Sequence, residues 1–77
     1  MGKAGQALRQ VLESHGISQN KLATVMGTPR SIVFKWFHEQ RDPTAETVDE
    51  IAKALQKIDP SAAAEFVRLY LGEYLED

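Results

Sequence analysis

At 77 residues, 43% of them hydrophobic and 26% charged, the chain has the size and composition of one ordinary globular domain, which excludes a disordered tract and a second domain. With no cysteine it can build no disulfide, thiolate metal site or thiol nucleophile. No apolar run approaches the ~20 residues of a membrane span, and MGKAGQALRQ lacks a signal peptide's apolar stretch, so a soluble cytoplasmic protein is expected. The formal charge of −2 is unevenly divided: residues 1–41 hold Lys3, Arg9, Lys21, Arg30, Lys35 and Arg41 against Glu13 and Glu39, while residues 42–77 hold Lys53, Lys57 and Arg68 against nine acidic side chains.

Strict apolar-polar alternation is scarce and Asn-Gly and Asp-Gly turns are absent, so helices are predicted throughout. Leu8, Val11, Leu12 and His15 sit at i, i+3, i+4 and i+7 of a first helix, roughly Ala4–His15, and Gly16 stops it. Ser18 is placed to cap a short second helix that buries Leu22 with Val25 or Met26 and ends at Gly27. Thr28 is then read as the cap of a third helix with Pro29 in its first turn, where a missing N–H costs nothing. Val33, Trp36 and Phe37 recur on one side of it as core. Pro43 and Thr44 open a fourth helix with Glu46 at its positive end and Val48, Ile51, Ala52 and Leu55 inward. Asp59-Pro60 repeats the cap-plus-proline start for a fifth helix reaching about Leu75. The fold class is all-α: five short helices in a single domain over 1–77.

Helices two and three are separated only by the turn around Gly27-Thr28-Pro29. So short a turn forces a steep crossing, which Leu22, Ala23, Val33 and Trp36 can bury. The first turns of helix three stay outside, and a helix has the width of the major groove. A net-acidic chain can still bind DNA if its basic residues share a face.

The stretch ISQNKLATVMGTPRSIVFKW followed by RDPTAETVDEIAKAL resembles the lambda-repressor-like, Cro-type helix-turn-helix domains. Gln19, Leu22-Ala23, Gly27, Val33, Trp36, Pro43-Thr44, Glu46-Thr47 and Ala54-Leu55 match the family's spacing, and with helix one the resemblance covers residues 4–58. It implies that helices two and three bind double-stranded DNA. Gln19, beside the capping Ser18, falls on the family's glutamine near a phosphate, and Arg30, Ser31 and Lys35 fall on its base-reading positions. Thr28 would meet a phosphate. The chemistry agrees, since arginine pairs with guanine O6 and N7, serine donates or accepts, and lysine reaches a base or phosphate. Arg41, in the loop after helix three, would contact the backbone.

Two residues depart from the pattern. Glu39 stands where the family commonly has a glycine, close to where phosphates would lie. Phe34 falls at a solvent-facing position, where it can pack on a thymine methyl, meet a protein partner, or cover part of the core. His38 lies near the DNA-facing side, where it is a candidate phosphate contact with no companion for metal or catalysis, and His15 is a helix-end residue suited to the negative end of the dipole. Lys21, Lys53 and Lys57 read as solvated helix faces. No Ser-His-Asp, paired-acid or phosphate-loop arrangement is visible, so neither an enzyme nor a cofactor or small-molecule ligand is expected.

Helix five is more apolar than a capping helix requires. Ala63, Phe66, Val67, Tyr70, Leu71 and Tyr74 form one stripe, which predicts a homodimer through residues 59–77, with Phe66, Val67, Tyr70, Leu71 and Tyr74 at its interface. The reading is a DNA-binding transcriptional regulator that is little more than its DNA-binding domain. Its rivals are a protein-interaction module that kept the fold and lost DNA binding, and an antitoxin that binds both DNA and protein.

Overall fold

Each of the first three helices ends at a residue with left-handed backbone. The computed structural model describes the backbone of residues 3–75 and the side chains of residues 3–72, and within them it contains five helices and no strand. The first, α1 (Lys3–His15), closes at Gly16, with φ of 65°, and Ile17 N–H donates back to Leu12 at 3.0 Å. The second, α2 (Gln19–Met26), starts under Ser18, whose hydroxyl accepts from the Lys21 N–H at 2.9 Å. It closes at Gly27, with φ of 70°, where Gly27 and Thr28 donate to Thr24 and Ala23 at 3.2 and 3.1 Å. A side chain at Gly27 would have to adopt the backbone region that L-residues avoid.

Here the sequence-based cap is corrected by one residue. Thr28 N–H belongs to the end of α2, so the connection is one residue longer than read, and Pro29 (φ −61°, ψ 140°) is the last extended residue before α3 (Arg30–Phe37). It offers no side-chain cap. Thr44 does cap α4 (Ala45–Ile58), accepting from Thr47 N–H at 3.2 Å. The last helix is α5 (Pro60–Leu75).

With eight residues each, α2 and α3 are too short to persist on propensity alone and are held by what they bury. The core joins Leu8, Val11 and Leu12 of α1, Leu22 and Ala23 of α2, Val33 and Trp36 of α3, Ile51, Ala54 and Leu55 of α4, and Ala62, Ala63 and Phe66 of α5. Helix α1 packs on α3 and α5, α2 on α3 and α4, and α4 on α5. Phe37, Val48 and Ala52, read as core, are half-buried at its margin. Gly5 brings α1 against α3: a Cβ there would stand 2.9 Å from the Trp36 carbonyl oxygen.

The stripe on α5 divides. Phe66 is fully buried and belongs to the core, not to an interface, because it stands where α5 meets α1 and α4. Its ring runs nearly parallel to that of the half-buried Tyr70, with centroids 6.2 Å apart. Val67 and Leu71, each 41% exposed, face outward. The side chain of Tyr74 lies outside the described residues.

His15 contributes to tertiary structure rather than acting only at its helix end. Its Nδ1 lies 3.4 Å from Asp59 Oδ2 and its Nε2 2.6 Å from Glu65 Oε1, tying the end of α1 to the start of α5. Asp59 Oδ1 also accepts from the Ser61 hydroxyl at 2.7 Å and the Ser61 N–H at 3.0 Å. Those two hydrogen bonds, helped by the neighbouring His15, hold the Asp59 carboxyl below its usual 3.8. The folded state therefore favours the carboxylate over the acid. Its contribution to stability is complete above the unfolded value and is lost as pH falls through the folded one. From about pH 5 towards about pH 2, the melting temperature of the wild type should fall more than that of Asp59→Asn, which has no such proton to gain; parallel curves would contradict this.

Candidate nucleic-acid interface

The outer face of α3 follows from its inner one. At about 100° per residue, burying Val33 and Trp36 turns Arg30, Ser31, Phe34 and Lys35 outward, and all four are exposed. His38, the C-cap, continues the same face and is exposed as well. Across that arc the order is Arg30, Phe34, His38, Ser31, Lys35, spanning about 140°. Arg30, Lys35 and Arg41 make no ion pair among the described residues, so their charge is free to meet an external anion.

The other predicted contacts flank this helix. Ser18 is exposed but its hydroxyl is engaged as the α2 cap. Gln19 is half-buried in a cleft of about 260 Å³ with Leu12, Ile17 and Phe37. On the other side, Thr28 and Arg41 line a second cleft of about 260 Å³ with Thr44 and Thr47, and Asp42 and Glu50 share it. Arg41 thus sits in mixed charge.

Sequence reasoning missed two neighbours of this surface. Arg9 of α1 places its guanidinium 5.5 Å from the Phe37 ring centre while its Nε lies 3.7 Å from Glu13. Only the Glu13 partner, four residues on, has a local signal; Phe37 lies on another helix. Thr47 shares a 2.9 Å hydroxyl contact with the α4 cap, Thr44, which the capping pattern could have suggested.

The end of α3 explains the departure at position 39. Glu39 N–H donates to Trp36 and Gln40 N–H to Lys35, at 3.1 and 2.8 Å, the paired bonds of a helix end that needs a left-handed residue. Glu39 supplies it with φ of 58°. A non-glycine residue there costs about 1–2 kcal/mol, and its 3.4 Å bond from Gln6 is too long and exposed to offset that. Glu39→Gly should therefore raise stability by about 0.5–1 kcal/mol after glycine's extra unfolded-state freedom. It should also tighten duplex DNA binding by removing a carboxylate. A lower melting temperature would refute the strain argument.

Among the described residues no three metal-ligating side chains gather, and no helix is long and apolar enough to cross a membrane. A family model described as helix-turn-helix matches residues 8–62, from within α1 to the first turn of α5. No curated protein and no solved structure matches. The match covers well over half of the chain and contains α2, the Gly27 turn, α3 and α4. With the capped α2, the left-handed turn and the outward face of α3 in place, the chain belongs to the lambda-repressor-like, Cro-type helix-turn-helix family of DNA-binding regulators.

Proposed function

We propose that the protein is a cytoplasmic, sequence-specific regulator of transcription that lays α3 in the major groove of duplex DNA and works as a homodimer through α5. The observation that carries this reading is the exposed set Arg30, Ser31 and Lys35, fixed on one side of α3 by the burial of Val33 and Trp36. Arginine and lysine there have the reach for base edges, and Gln19 and Thr28, one on each flank, would meet phosphates in this reading. Selection from a random duplex pool at stated salt should enrich a short motif. Failure to enrich any motif at low salt would reject the reading in favour of a protein-interaction module.

Val67 and Leu71 support the dimer, since they lie one turn apart and both face outward. Two copies would match two half-sites, so the enriched motif should be a pseudo-palindrome. Sedimentation at micromolar concentration should show a dimer with or without DNA, and replacing both residues by aspartate should leave a folded monomer. A wild-type chain that is monomeric in both conditions would reject it.

A further inference from the structure

Phe34 occupies the middle of the face that the regulator reading turns towards DNA, between Arg30 on one side and Ser31 and Lys35 on the other. It is 46% exposed, an apolar ring among the polar and basic groups Arg30, Ser31 and Lys35. The ring is not loose. His38 lies against it with centroids 4.1 Å apart and planes tilted by 44°, and His38 in turn meets the edge of Phe37 at 5.2 Å. Phe37 is half-buried against the core and carries Arg9 over its ring. A line of ring contacts thus runs from the core margin to Phe34 and supports its ring in this position.

If α3 lies in the major groove, this ring is matched best by an apolar group on the bases. On the major-groove edges of the four base pairs, the only such group is the C5-methyl of thymine. The four steps from Arg30 to Phe34 advance about 6 Å along the helix axis, and base pairs follow one another every ~3.4 Å. We propose that Phe34 is a specificity-determining residue that reads a thymine methyl within about two base pairs of the guanine met by Arg30. The assignment rests on the regulator reading above.

The test uses the full chain and the motif enriched from the random pool, resynthesised with each thymine in turn replaced by deoxyuridine, which lacks only the methyl group. For the wild type, one or two of these replacements should weaken binding about three- to fivefold, the effect of leaving one methyl group uncovered. The sensitive positions should lie within two base pairs of the guanine whose preference disappears in Arg30→Ala. Phe34→Ala should bind thymine and deoxyuridine duplexes equally while keeping that guanine preference, and Phe34→Leu should retain part of the methyl sensitivity. Because Phe34 is exposed, both variants should melt close to the wild type. Enrichment of a motif with no wild-type response to methyl removal at any position would overturn the assignment alone. So would unchanged sensitivity in Phe34→Ala. Failure to enrich any motif at low salt would remove the regulator reading and this assignment with it.

Discussion

Phe66→Ala should cost about 3–5 kcal/mol of stability, the usual range for emptying a fully buried phenylalanine site. A chain of 77 residues has roughly 4–12 kcal/mol in total, so the variant should unfold at a much lower denaturant concentration or be largely unfolded in buffer. The cost is large because Phe66 stands where α5 meets α1 and α4, and Ala62 and Ala63 beside it are too small to fill the void. Leu71→Ala, on the outer side of the same helix, should stay within about 0.5 kcal/mol for the folded protomer. Urea melts followed by circular dichroism at low protein concentration would check both. If Phe66 instead served association, its variant would melt like the wild type and differ only in sedimentation.

Arg30→Ala should lower affinity for the selected duplex by about 1–3 kcal/mol, roughly five- to 150-fold, and relax one position of the motif. Arg30 opens the exposed arc of α3, has no ion-pair partner among the described residues, and presents the planar fork that matches guanine O6 and N7. Arg41→Ala should behave differently. Its cleft holds Asp42 and Glu50, and a backbone contact from there would weaken all sequences alike and reduce the salt slope by about one. Titrations at several salt concentrations on matched and scrambled duplexes separate the two. A variant of Arg30 that loses affinity evenly across sequences would remove it from the base-reading set.

Much of this architecture was legible because its signals are local. Ser18, Gly27, Thr44 and Asp59 act within three or four residues of themselves, so spacing sufficed to mark the helix ends. The Thr28-Pro29 boundary slipped by one because both residues are competent caps or first-turn residues, and what decides is a hydrogen bond from Thr28 back into α2. Contacts between distant segments were not legible. Nothing near His15 announces Asp59 and Glu65, which lie 44 and 50 positions further on. Phe66 and Val67 are adjacent apolar residues whose fates differ only because α1 and α4 cover one side of α5. The unusual residue at 39 was visible as a departure, but the backbone angle that gives it a cost is a property of the folded helix end.

The separation between the two sides of α3 has a practical outcome. Arg30, Ser31, Phe34 and Lys35 contribute nothing to the buried set, while Val33 and Trp36 contribute nothing to the exposed one. The outward residues can therefore be exchanged as a cassette, and a library randomised at those four positions should remain folded in most of its members. The boundary of the cassette is set by Gly5. Because the α1 backbone lies against the Trp36 carbonyl there, a retargeted version can change what α3 presents but not where α3 ends.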